Sequence, residues 1–386
     1  MRWAKFWLFL LLLGVVIGMP ACGSFFSGCH MCPPVPKPEH FVYTANSAGN
    51  PSTVSALSTS PSAGTLSPIG GSPYNTGSGS IAIAADPTHG RIYVANTQSG
   101  DISAFTIDLS TGVLNKVLQS PFGPAAGVNS LVVSPDGDFA YAVSGTSANL
   151  WAFSIDASGG LGQLGSPIVI APGSVQSSAV VMDPTGTYLY TFTADSLSAK
   201  VYGFSRDHTT GALTPLSGFP FDIPGLANQG AFDHTGNFLL LTGTNEFATK
   251  GGVEVFSLNS STGALTLVSG PLQVGDDPAG VAEDASGNYV YIPNTADVTI
   301  SAFKFDAATG ALSGVTGSPF PSGGNGNING PLGITTSTTG SFVYVCNASN
   351  DISVFSITSA TGALTAISGS PFPDGGNGPH AIVFVP

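Results

Sequence analysis

The chain ends on GGNGPHAIVFVP (375–386), where Ala381 to Val385 is an apolar run with nothing after it. Upstream, comparable runs continue through a turn into three more strand-like segments. Seven runs align with one another: FVYTAN (41–46), RIYVAN (91–96), FAYAVS (139–144), YLYTFT (188–193), FLLLTG (238–243), YVYIPN (289–294) and FVYVCN (342–347). Six of them follow a tight turn, such as DPTHG (86–90), SPDG (134–137), DPTG (183–186), DHTG (233–236), DASG (284–287) or STTG (337–340). A second strand comes next, as in ISAFTID (102–108) or ISAFKFD (300–306), then a TG turn and a third strand ending near Ser-Pro-Phe. A short apolar run such as SIAIAAD (80–86) completes the set, and the whole recurs about every fifty residues, which marks a repeat architecture.

The turn chemistry explains the punctuation. Asp in first position caps its own turn, and Gly takes the left-handed position that other residues resist. Most of the recurring aspartates are therefore turn builders. Four hairpin-linked strands make a small sheet that cannot stand alone, and radial stacking of seven buries both faces. The predicted fold is all-β: a seven-bladed β-propeller with four strands per blade. The phenylalanines of the second strands fill the wedge between blades, and Ala-, Gly- and Val-rich runs lie nearest the axis. The first run, at Phe41, has no inner strand before it, so His380 to Val385 is expected to supply it. Pairing the two ends closes the ring and removes the exposed edges.

Bulk composition agrees. Charged residues are 8% of the 386, against roughly 25% in an average soluble protein, while Gly (51) and Pro (29) are abundant. Nine basic residues face 22 acidic ones, for a formal charge of −13. Nucleic acid binding needs a basic footprint and is excluded, and a neutral or cationic partner is favoured over an anionic one.

The N-terminus reads as a targeting segment over residues 1–21, with Arg2 and Lys5 before the apolar stretch Leu8 to Ile17, which is too short to span a membrane. Gly18-Met19-Pro20-Ala21-Cys22 resembles a lipoprotein box, making Cys22 the expected lipidated residue; ordinary cleavage nearby is the alternative. Residues 22–40 form a tether with the stiff spacer Pro33-Pro34-Val35-Pro36-Lys37-Pro38, and residues 41–386 form the propeller. Cys29 and Cys32 suit a local disulfide, acylation or idle thiols better than zinc or haem, and Cys346 reads as a small buried hydrophobe. The expectation is an exported, monomeric protein held at a bacterial cell envelope by a lipid anchor.

Function is sought on the longer connections around the axial channel, opposite the tight-turn face. The repeat resembles the YVTN-type seven-bladed propellers of the lactonase family, which includes a bacterial 6-phosphogluconolactonase, and the resemblance spans 41–386. It implies His, Arg and acidic residues at the channel mouth. Gly378-Pro379-His380 is similar to the family's Pro-His pairs, so His380 is the candidate catalytic base, or a histidine that bonds the closure loop. The only two arginines beyond the leader, Arg91 and Arg206, fall beside tight turns, away from the mouth. Asp276 and Asp277 with Glu246 are candidate ligand-binding residues able to gather a cation, or simply a solvated turn. His89, His208 and His234 sit in tight turns and read as solvated. No motif asks for a cofactor or a metal. The first expectation is a binding scaffold for an envelope protein or a neutral small ligand; the alternative is a lactone hydrolase of the 6-phosphogluconolactonase kind.

Overall fold

The computed structural model describes residues 40–386 apart from 87, 124, 171–175, 195–198, 224–226, 245–249 and 324–329. The targeting segment, Cys22, Cys29, Cys32, the proline-rich tether and Glu246 all lie outside the described residues. Every described element is a strand, and the strands form seven separate antiparallel sheets. This is the seven-bladed propeller expected from the repeat.

Blade 1 contains both ends of the propeller. Its order from rim to axis is Leu66–Pro68, Thr53–Thr59, Phe41–Asn46, Pro379–Val385. Phe41 lies opposite Val385, Tyr43 opposite Val383 and Ala45 opposite Ala381. The final apolar run is thus the inner strand of the first blade. In every other blade the inner strand precedes its partners in sequence, as Ser80–Asp86 precedes Arg91–Asn96 in blade 2.

Seven clusters of buried apolar side chains occupy the seven gaps between neighbouring blades. Phe105, Phe153, Phe204, Phe256 and Phe355, in the strands that follow the aligned runs, are each at most 4% exposed and fill the wedges as the sequence implied. Cys346 is buried in the gap between blades 7 and 1. Burial pushes its thiol well above the ordinary range, so it serves as a packing residue.

The repeated polar residues have definite work. The tyrosine hydroxyl of each of five aligned runs reaches the TG or equivalent turn of the next blade. Tyr43 donates to Gly112 O (2.9 Å), Tyr93 to Gly159 O (3.2 Å), Tyr141 to Gly211 O (2.8 Å), Tyr190 to Gly263 O (2.6 Å) and Tyr291 to Gly362 O (3.0 Å). Glycine is required at these turns: Gly112 has φ +72°, and a Cβ there would strike Phe41. The asparagine ending a run ties the following hairpin, as Asn96 does to Asp101 (2.7 Å) and Ser103 (2.9 Å). The Ser of Ser-Pro-Phe, or of Ser-Pro-Tyr in blade 1, replaces a missing ladder partner where the outer strand breaks off. Ser72, Ser120, Ser318 and Ser370 accept the N–H of Ala56, Ala104, Ala302 and Val354 at 2.8–2.9 Å. Beyond that break the chain returns to the same strand in five blades, adding a short fifth segment that the four-strand expectation did not include.

Candidate functional site

Inner strands run from the irregular-loop end of the ring toward the tight turns; Ser80–Asp86, for example, ends at the first residue of its DPTHG turn. Residues near the beginning of these strands surround an axial cavity of about 460 Å³. Its wall takes in Ile81 and Ile83, Asn129 and Ser130, Val180, Asn228 and Gln229, Asp277 to Val281 with Thr295, Leu332 and Ile334, and His380, so all seven blades contribute. The wall is uneven. Blades 7 and 2, either side of His380, present Leu332, Ile334, Ile81 and Ile83, whereas blades 3, 5 and 6 present amides, two hydroxyls and a carboxylate.

His380 is the second residue of the closing strand, which places it at the end of the channel ringed by the long loops. Its Nδ1–H donates to the carbonyl of Ile81 on the neighbouring inner strand at 3.1 Å. Since a carbonyl only accepts, that contact fixes the neutral tautomer with a lone pair on Nε2. Burial holds the imidazole below its ordinary range, so it is neutral at pH 7. A neutral ring held at one nitrogen in a half-polar cavity is suited to take a proton from water.

Of the acidic residues singled out in the sequence, the two described ones, Asp276 and Asp277, are split. Asp277 lines the cavity, is exposed, and has a left-handed backbone (φ 54°) held by Thr295 N–H donating to its carbonyl at 2.8 Å. Asp276 is outside the cavity wall, and its N–H is taken by Asp297, which also pairs with Lys250 at 2.7 Å. The two adjacent carboxylates therefore do not converge on one point in the cavity.

On the tight-turn face His89, His208 and His234 are exposed, as the sequence implied, and each also lies near a carboxylate. His89 lies 3.0 Å from Asp86, His208 3.8 Å from Asp136, and His234 of blade 5 lies 3.2 Å from Glu283 of blade 6. Arg91 pairs with Asp86 (3.6 Å) and donates to Ala157 O, while buried Arg206 pairs with Asp136 (2.6 Å) and donates to Gly186 O. Both arginines act as cement between blades. Asp233, His234 and Glu283 bring three ligand-type atoms within 4.8 Å. Both Asp233 oxygens are committed to its own turn, to Phe238 N–H and to Thr235, so the group reads as a blade lock.

Sequence reasoning found His380 and Asp277 but passed over Asn129, Asn228, Gln229 and Thr295. The available signal was register: Asn129 is the second residue of its inner strand, as His380 and Ile81 are of theirs.

A channel-centred site on seven blades defines a familiar class of propeller. Residues 35–322 and 281–384 match the family model described as lactonase, 7-bladed beta-propeller, and the chain belongs to that family. No curated protein gives a significant match. Among solved structures, it is similar to a candidate 6-phosphogluconolactonase from Bacteroides fragilis, with a TM-score of 0.73 and 19% identity over 92% of this chain and 100% of the other. It is also similar to the periplasmic gluconolactonase of Pseudomonas aeruginosa, with a TM-score of 0.70 and 18% identity over 90% of this chain and 99% of the other. At these identities the likeness speaks for the fold.

Proposed function

We propose that the protein is a lactone hydrolase, a carboxylic ester hydrolase that opens a lactone ring in the axial cavity. The observation that carries this reading is the tautomer of His380, whose Nδ1–H is committed to Ile81 O inside the cavity. Membership of the lactonase family favours catalysis over the binding-scaffold expectation.

The reaction needs a base, a water and donors for the oxyanion. Nε2 of His380 accepts a proton from water as the water oxygen attacks the ring carbonyl. The carbonyl electrons move onto oxygen, and the amides of Asn228 and Gln229, from the far side of the ring of blades, supply N–H donors for that charge. Collapse of the intermediate breaks the ring C–O bond. The imidazolium returns the proton to the departing alkoxide, leaving a hydroxy acid. The apolar arc of Ile81, Ile83, Leu332 and Ile334 keeps bulk water away from the histidine.

We place the activity outside the cytoplasm, on the strength of the leader and Cys22; the likeness to a protein named as periplasmic agrees with this. The test is turnover of δ-gluconolactone followed by acid release. His380→Ala should lower kcat by roughly 100-fold or more, the contribution of a positioned base. The wild-type rate should hold through neutral pH and fall only below the ordinary histidine range, as the depressed imidazole takes up a proton. An unchanged rate in His380→Ala would remove the base from the reading.

A further inference from the structure

We propose that the cavity takes an uncharged, hydroxyl-rich lactone and rejects phosphorylated ones, with Asp277 as the residue that sets the preference. This rests on the hydrolytic reading above and narrows its substrate class.

The argument is an accounting of cations. After residue 40 the sequence has only Arg91, Lys116, Lys200, Arg206, Lys250 and Lys304, and the internal segments outside the description contain no Lys or Arg. Arg91 and Arg206 are engaged on the tight-turn face, at the other end of the channel. Lys116 is exposed on an outer strand of blade 2, and Lys304 is exposed opposite Tyr289, next to a tight turn. Only Lys200 and Lys250 lie toward the irregular-loop end, and both are neutralised, by Asp222 at 2.5 Å and Asp297 at 2.7 Å. No lysine or arginine lines the cavity among the described residues. A phosphate ester entering it would meet no counter-charge.

It would meet Asp277 instead, the single charged side chain of the described cavity wall, since His380 is neutral. Its carboxylate has no hydrogen-bond or ion-pair partner among the described residues. An ionised carboxylate only accepts hydrogen bonds, so its natural partners are O–H donors such as those of a polyol lactone. Two further negative charges beside it are repelled.

Initial rates on δ-gluconolactone and 6-phosphogluconolactone, for wild type, Asp277→Asn and Asp277→Lys, test the idea. Asn suits the left-handed backbone at 277, and the side chain is exposed, so both variants should fold. Wild type should favour the neutral lactone by about 100-fold in kcat/KM, the scale of unfavourable like-charge contact. Asp277→Asn should narrow the ratio and Asp277→Lys bring it within about tenfold, through a lower KM for the phosphorylated lactone. Equal or better use of the phosphorylated lactone by wild type, or a ratio unmoved by either variant, overturns the inference and leaves hydrolysis standing. Turnover of neither lactone by wild type overturns the hydrolytic reading and this inference with it.

Discussion

Replacing Glu254 by glutamine should stabilise the propeller at pH 8 and change little at pH 4. Glu254 lies in Gly251–Leu258 of blade 5, opposite Leu241, which packs in the apolar gap between blades 4 and 5. It is 5% exposed, and its Oε1 has no hydrogen-bond partner. Burial pushes its carboxyl from 4.5 up to about 7. Below pH 4.5 the group is protonated in folded and unfolded chains alike. Between 4.5 and 7 the unfolded chain ionises while the folded one keeps its proton, so stability is lost as pH rises and the loss is complete above 7. A gap of this size is worth about 3 kcal/mol at roughly 1.36 kcal/mol per unit. For a propeller this long, that corresponds to about 4 °C in Tm, at roughly 2 cal/mol/K of unfolding entropy per residue. The glutamine side chain keeps the shape and the unmet polar atom, so only the ionisation is removed. Thermal melts of wild type and Glu254→Gln at pH 4, 6 and 8 measure the difference, and all shared carboxylates cancel. A difference that stays flat with pH, or shrinks as pH rises, would refute the buried neutral acid.

Two other perturbations probe the ring. Deleting 379–386 removes the inner strand of blade 1 and bares the edge of the fully buried Phe41–Asn46; aggregation or loss of a cooperative melt is expected, and an unchanged melting curve would sink the closed ring. Tyr190→Phe leaves Gly263 O without its buried donor and should cost about 1–2 kcal/mol. Tyr74→Phe, whose hydroxyl bonds Gly70 O at the exposed surface, is the control, and equal melts for the two would count against the inter-blade tyrosine bonds.

The architecture was legible because its signals are local and repeated. Asp183, Asp233 and Asp284 each accept the backbone N–H five residues on, within the turn they begin, so a short motif reports a real hydrogen bond. Closure could be counted from the seven aligned runs. The site was less legible because the cavity wall draws a few residues from each of seven distant blades, and no short motif spans them. His380 stood out through Pro-His and Asp277 through its acidic turn. Asn129 shares its inner-strand position with His380 and Ile81, and Gln229 shares its own with Ser130 and Ala82, so only register across blades, not a local motif, marks them. The tight-turn histidines are exposed as read, but a partner such as Glu283, which meets His234 across 49 residues, was not legible because tertiary contact contributes it.

The locks are unevenly spread around the ring, and their placement follows the chain ends. Blades 6, 7, 1 and 2 have the full set: an Asn closing the run, a Ser facing it, and the Ser of Ser-Pro-Phe or, in blade 1, Ser-Pro-Tyr. Blade 5 has Leu240 where others place the bridging Tyr, Gly243 for Asn, Gly270 for Ser and Glu254, with its unmet oxygen, for the facing Ser. The well-locked blades are those that flank the junction of the two termini, where only strand pairing keeps the circle shut. There Asp374, 1% exposed on the connection into the closing strand, receives the hydroxyls of Thr44 and Ser55 (3.0 Å to Ser55) and the N–H of Gly376 (3.0 Å). Ser47 and Ala48 donate to Gly378 O and Asn377 O beside it. A carboxylate so deeply buried is stable only with several donors, and all but one of these come from the strands of blade 1 that the closing strand must find. Asp374 therefore couples the loop to the seam, six residues before His380.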